Sequence, residues 1–401
     1  MIAVTRDLAE FAARTSYDTL PVEVRERVKA LVLDLVGIAL RARNEAESTG
    51  PMVAAVRRLG LAEGSCTVIG DAAGYAAPGA AMLNGTLGHS LDFDDTHAPG
   101  SLHPSAPIVP AAFAAAEMAG ADGQAAIAGI VAGYEVQIRL SLALDPAAHY
   151  DRGFHPTATC GAFGAAAAAG RLLGLDPEGY SNAFGIVLSM AAGSMQYLVN
   201  GAWTKRSHVG HAAMCGLMAA TLAREGYKGA SEALEGKWGF LHAYAPAADA
   251  AKAVDGLGRR WETLKIAVKP YPSCRYGHAP LDGILALARQ HGIRAEEVEE
   301  VVVGLPEPGW KLIGDPEPAK QAPKSVVDGQ FSMAFCASVA LRSGGFGWDD
   351  YARHLGDPAT LALCKRVKTW VDPKASLAIK AGGSVYHFCS AKCRDEFKRS
   401  A

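Results

Sequence analysis

Pro110-Ala-Ala-Phe-Ala-Ala-Ala-Glu117 and Gly164-Ala-Ala-Ala-Ala-Ala-Gly170 decide the fold class. Each run joins the strongest helix former to side chains small enough for helix axes to approach closely, so both predict helices packed tightly on other helices. Outward from these runs, the apolar spacing from residue 5 to about 250 stays mostly helical, with loops marked by glycine, proline and aspartate. It predicts helices at 5–15, 22–42, 49–58, 76–87, 105–119, 123–142, 157–173, 178–192, 208–225 and 229–235. Near residue 260 the pattern changes. Trp261-Glu-Thr-Leu-Lys-Ile-Ala-Val268, Glu300-Val-Val-Val-Gly-Leu305 and Arg366-Val-Lys-Thr-Trp-Val371 carry β-branched residues in alternation and read as strands, with helical patterns at 279–291 and 324–342 between them. The expected fold is mainly α: a large all-helical domain over 1–255, a smaller α/β (α+β) layer over 260–375, and an atypical tail over 376–401.

A chain of 401 residues, half of them apolar and a fifth charged, holds enough material for a sizeable core and is not globally disordered. With 39 Lys and Arg against 41 Asp and Glu, it lacks the electrostatic footprint of a nucleic-acid or membrane-surface binder and points to a small-molecule partner. Neither alanine run reads as a membrane span, because Pro104, Pro107, Pro110 and Glu117 interrupt the first and Arg171 closes the second. Met1 to Glu10 carries acids where a signal peptide would be basic and apolar, so a cytoplasmic protein is expected. Cys66, Cys160, Cys215, Cys274, Cys336 and Cys364 are scattered as reduced core thiols usually are. Cys389 and Cys393 differ: their spacing at a strand-to-helix turn suits two sulfurs on one zinc ion, the alternative being a hairpin and helix without metal.

The densest polar constellation is Asn84-Gly-Thr-Leu-Gly-His-Ser-Leu-Asp-Phe-Asp-Asp-Thr-His97. His89, Asp92, Asp94 and Asp95 fall within seven residues, and His97 and His103 follow. Leu91 and Phe93 alternate with Asp92 and Asp94, which suggests a buried turn whose polar groups pair with one another. Such a turn can be purely structural. A divalent-metal site fits the residue types, but no helical histidine pair sets a geometry. Two His-Pro pairs, His103-Pro104 and His155-Pro156, each precede an Ala-rich helix, which would place proline first in the helix and histidine at its positive end. That placement disfavours imidazolium and leaves a neutral base, although a simple helix cap explains one such histidine equally well. Lys205 and Arg206 sit in a polar turn before another apolar helix, an arrangement suited to an anion such as a carboxylate. Lys269, Arg275 and His278 follow the first expected strand of the second domain, where Pro270 and Pro272 stiffen the turn. There is no Walker loop, no dinucleotide glycine fingerprint and no nucleophile elbow.

At these residues the sequence resembles the MmgE/PrpD family, which includes 2-methylcitrate dehydratase, cis-aconitate decarboxylase and iminodisuccinate epimerase. The resemblance runs from about residue 5 to about 372. It is carried by Asn84 to Thr96, by His103-Pro-Ser105, by Gly153-Phe-His-Pro156, by Trp203-Thr-Lys-Arg206 and by Lys269-Pro-Tyr-Pro272. It implies a helical domain with a smaller lid domain, a homodimer, no obligatory cofactor, and a site in the cleft between domains walled by Asp92, His103, His155, Lys205 and Lys269. Thr96, Arg206, Arg275 and His278 are the expected substrate-binding neighbours. The implied chemistry is that of a lyase on a small di- or tricarboxylate, foremost elimination of water from a 2-methylcitrate-like acid, with decarboxylation or epimerisation on the same site as alternatives. His103 or His155 would be the base and the other histidine the acid, with Asp92 orienting His103 and the two lysines holding carboxylates. The tail from Ala381 to Lys398 resembles the second half of a YHS- or TRASH-type metal-binding module, which leaves a non-catalytic relative with a metal-binding tail as a further alternative.

Overall fold

The computed structural model describes residues 2–372, 374 and 376–388. The chain divides after Val268 into two compact units. Ten helices supply most of the first: α1 (Val4–Arg14), α2 (Val22–Glu45), α3 (Thr49–Arg58), α4 (Ala77–His89), α5 (Ser105–Ala119), α6 (Gly123–Leu144), α7 (Pro146–Asp151), α8 (Pro156–Leu172), α9 (Pro177–Leu188) and α10 (Thr204–Arg224). The second alanine run lies in α8, which is buried at every position from Pro156 to Gly170 and packs on α5, α6, α9 and α10. Side chains of one carbon let four helices close on one axis, and the apolar area they jointly remove from water drives the packing. α6 is long and apolar enough to cross a membrane, but its apolar window is mostly buried inside this unit. It carries a buried Glu135–Arg139 ion pair at 3.0 Å; Arg139 also donates to the Asp255 and Arg260 carbonyls, and Glu135 accepts from Thr263. These contacts tie the 255–263 segment to the helical core.

Two contacts fix α4, whose C-terminal end carries the polar constellation. A Cβ on Gly85 would lie 2.8 Å from the Cα of Gly210, and one on Gly210 would lie 2.2 Å from the Met82 carbonyl. The backbones of α4 and α10 therefore touch where only glycine fits. On the other side, Asn84 accepts from the Ile69 N–H and donates to the Thr67 carbonyl, both at 2.8 Å. Asn84 is thus a brace for the 67–69 loop. Asn84→Ala should cost about 1–3 kcal/mol in a denaturant titration while leaving ligand affinity unchanged; a larger loss of affinity than of stability would contradict that role.

The first unit also holds two short antiparallel pairs, β1 (Cys66–Thr67) with β2 (Gly74–Tyr75) and β3 (Thr96–His97) with β4 (Ile266–Ala267). The second unit is built on a four-stranded sheet in the order β6-β5-β7-β8, where β5 is Val298–Leu305, β6 Val367–Val371, β7 Leu377–Ala381 and β8 Ser384–Phe388. β5 and β6 run parallel, with Val301 opposite Val367, while β5–β7 and β7–β8 are antiparallel. The helices His278–His291 and Met333–Ser343 pack on this sheet.

Four expectations change. The alternating run at 261–268 does not enter the sheet of the second unit: Glu262–Lys265 forms a 3₁₀ turn, and only β4 (Ile266–Ala267) pairs, with β3 (Thr96–His97) of the helical unit. The groups that would extend the strand are in use, because Glu262 binds His97 at 3.1 Å and Thr263 binds Glu135. Residues 229–235 form turns, not a helix. Their polar groups pair outward: the Gly229 N–H donates to Asn182, the Leu234 N–H to the Thr5 hydroxyl, and Glu235 accepts from the Thr5 N–H. The helix expected at 324–342 is two, Val326–Gln330 and Met333–Ser343, with Ser332 capping the second by accepting from the Phe335 N–H at 2.9 Å. Residues 377–388, set apart by sequence as tail, belong to the sheet. Leu377, Ile379 and Ala381 face its buried side, and Gly382 and Gly383 turn the β7–β8 hairpin at φ of 55° and 77°. Cys389 and Cys393 lie outside the described residues.

Candidate active site

The last turn of α4 and the loop behind it place His89, Asp92, Asp94 and Asp95 in the interior, all four buried. His89 Nδ1 bonds Asp94 Oδ2 at 2.7 Å. The same carboxylate oxygen lies 3.5 Å from His103 Nδ1, which also faces the Asp95 carbonyl at 2.9 Å. A carbonyl only accepts, so His103 Nδ1 carries the proton, and in the neutral ring Nε2 carries the lone pair. This is the tautomer a base needs. The His103 backbone is held in turn by its N–H bond to the Thr157 hydroxyl at 3.2 Å.

Asp92 adopts the left-handed region at φ 50°, a conformation aspartate and asparagine tolerate better than most side chains, and its carboxylate forms a buried ion pair with Lys205 in the first turn of α10. Sequence reasoning gave Asp92 the orientation of His103; in the structure the groups holding His103 come from Asp94 and Asp95, and Asp92 holds Lys205.

His155 caps α8, with its N–H bonded to the Gly193 carbonyl at 3.0 Å and Pro156 as the first helical residue. The other His-Pro pair is offset by one: Pro104 is the cap of α5 and Ser105 starts the helix. Ser105 is recruited by Asp95, which accepts from both its N–H and its hydroxyl. Burial nonetheless pushes the Asp95 carboxyl up to about 7.

The imidazoles of His89 and His103 meet edge to face at 4.9 Å between centroids, those of His89 and His155 stack at 5.8 Å, and His208 lies 5.6 Å beyond His155. Four histidines from α4, the α5 entry, the α8 cap and α10 therefore sit in contact. Burial, then the charges of His89 and Lys205, holds His155 well below the usual imidazole range. Burial also lowers His89 and, with His89, His211 and Lys205, brings His208 down to about 4. Near pH 7 these three rings are neutral.

The remaining expected residues have contacts of their own. Thr96 is buried in the two-residue β3–β4 ladder. Arg206 is buried with its guanidinium on the Ser48 hydroxyl at 3.1 Å. His97 is structural: it accepts from the Gly100 N–H and binds Glu262. In the second unit, Lys269 and the His278 ring both donate to the Ser273 carbonyl, at 3.0 and 3.1 Å, while Arg275 opens an exposed turn. His208 was not singled out by sequence, although its three-residue spacing from Lys205 puts the two on one helix face. One ligand-type atom from each of His89, Asp94 and His103 lies within 4.8 Å of the others, so these residues have the chemistry to hold a divalent cation. Both Nδ1 protons are already engaged, on the Asp94 carboxylate and the Asp95 carbonyl, so cation binding would have to displace them.

The profile of the MmgE/PrpD N-terminal domain matches residues 6–252, and that of the C-terminal domain matches residues 271–390. The chain belongs to the MmgE/PrpD family. Its MmgE/PrpD relatives include the cis-aconitate decarboxylase of Aspergillus terreus, 31% identical over 84% of this chain and 71% of that protein. A cis-aconitate decarboxylase-like protein of Aspergillus oryzae is 29% identical over 88% of this chain and 76% of its own length. The cis-aconitate decarboxylase of Mus musculus is 28% identical over 72% of this chain and 60% of its own. The C-terminal MmgE/PrpD match extends through β7 and β8, which makes the hairpin part of the family domain.

Proposed function

We propose that this protein is a lyase that moves a proton next to a carboxylate of a small di- or tricarboxylate, using side chains alone. The observation that carries the reading is the cluster of His89, His103, His155 and His208 beside the buried Lys205–Asp92 pair. Proton transfer at such a carbon builds negative charge on the carboxylate oxygens. A fixed lysine stabilises that charge, and a neutral imidazole accepts or supplies the proton. His103, with its lone pair on Nε2, is the base in this scheme, His155 the partner acid, and Lys205 and Lys269 the carboxylate contacts. The relatives' names support decarboxylation of a cis-aconitate-type acid as the first reaction to assay. Elimination of water from a 2-methylcitrate-type acid is the second reading, favoured by two separate imidazoles available as base and acid. The family resemblance further supports a homodimer.

Incubating the purified protein with cis-aconitate, 2-methylcitrate and citrate, and following each by proton NMR, tests the reading. The expected result is conversion of cis-aconitate to an unsaturated dicarboxylate and carbon dioxide, abolished in His103→Ala. Turnover that survives that substitution sinks the site, and turnover lost only on chelation sinks the side-chain mechanism.

A further inference from the structure

His208 is the member of the histidine cluster to which the proton-transfer scheme gives no role, and it pairs with His155. Their Nδ1 atoms face each other at 3.4 Å, at the outer edge of hydrogen-bond range, so one ring must present a proton and the other a lone pair. His155 is buried, while His208 is half-buried on the second turn of α10. Tyr197 meets both rings edge-on, at 6.2 and 6.0 Å, and holds them in one arrangement. The pair thus runs from an interior imidazole toward the surface.

We propose that His208 is the relay through which His155 exchanges protons with solvent, an assignment that rests on the lyase reading above. His208 acts through His155 and is a positioning residue. The transfer balances at each atom. As the acid, His155 gives its Nε2 proton to product carbon or a leaving hydroxyl. The Nδ1 proton of His208 passes to His155 Nδ1, and water supplies a proton to His208 Nε2, leaving both rings neutral. Run backwards, the same steps return His155 Nε2 to its protonated state and release one proton from His208 Nε2 to water, which resets the pair for the next turnover. The groups facing His208 are His89, His155, His211, Lys205 and Tyr197. Burial, then the neighbouring imidazoles and Lys205, disfavour its imidazolium, so the ring passes a proton on instead of storing it.

The test uses the full-length protein and its His208→Gln and His208→Ala variants. In dilute buffer with saturating cis-aconitate, or whichever acid is turned over, both variants should lose about tenfold or more in kcat. Imidazole added to the solution should restore their rate in a concentration-dependent way while leaving the wild type unchanged, a readout that a packing role does not move. In the resting protein, long-range proton–nitrogen NMR of labelled histidines should show His155 and His208 as complementary tautomers. Variants with wild-type kcat in dilute buffer, a loss that imidazole does not restore, or two rings both protonated on Nε2 would each overturn the relay. A wild type that turns over none of the acids means that the lyase reading has failed and the relay falls with it. An active wild type with any of the three contrary results means that the relay alone has failed.

Discussion

Lys205→Met should cut kcat/KM by about 10²–10³ and lower the stability of the protein by about 3–5 kcal/mol, the cost of leaving one member of a buried ion pair without its partner. Lys205 and Asp92 are both buried, so water cannot take over the role of either charge. Two effects are superposed, and a second substitution separates them. Asp92→Asn removes the stranded charge and keeps a side chain that tolerates the left-handed backbone at φ 50°, so the double variant should recover most of the lost stability. It should not recover activity, because the cation that faces developing carboxylate charge is still missing, a loss of about 10²–10³ in kcat/KM. Urea titrations with unchanged slope measure the first quantity and initial rates the second. Recovery of activity in the double variant would make Lys205 a structural residue. Because Lys205 also depresses His89, His155 and His208, its removal should move the acid limb of any residual activity to higher pH.

The alanine runs and the Asn84 to Thr96 motif were legible in the sequence for a local reason. Helix propensity, proline at the first helical position and a dense run of acids all act within one or two turns of chain. The four-histidine contact was not legible. It depends on α8 and α10 touching at Ala165 and Gly216, which brings His208 to His155 across 53 positions of sequence, and on α4 meeting α10 at Gly85 and Gly210. The same limit explains the misplaced strand at 261–268. Alternation there is real, but Glu262 and Thr263 are claimed by His97 and Glu135 from distant helices, and tertiary hydrogen bonds override a four-residue pattern. The orientation of His103 failed for a finer reason. Asp92, Asp94 and Asp95 are adjacent and chemically alike, and the left-handed backbone at Asp92, which alternation does not reveal, accompanies its pairing with Lys205 while Asp94 and Asp95 hold the imidazole.

Acidification from pH 7 to 4.5 should draw stability from the fold at its buried histidines, and the sign follows from which state binds the protons. In the unfolded chain each histidine protonates near its reference of about 6.5. In the folded protein burial holds His89, His149, His155 and His211 below that value and brings His208 to about 4. Between those limits the unfolded chain carries more protons, so stability rises with pH and is lost as pH falls. For His208 alone, a displacement from about 6.5 to about 4 amounts to about 3 kcal/mol once fully expressed. Two carboxyls work the other way. Asp95 at about 7 and Asp34 at about 6 bind protons in the folded state first, so they add stability as pH falls toward the unfolded carboxylate value of about 4. The two sets oppose each other across this window, so each is read by difference. Urea midpoints measured at half-unit steps of pH should fall less, or rise more, on acidification in His208→Gln than in the wild type, and the reverse in Asp95→Asn, which lacks an opposing carboxyl. A His208→Gln profile parallel to that of the wild type would mean that the fold does not depress His208, and a ring that keeps its proton near the free imidazole value would store the proton that the proposed relay needs passed on.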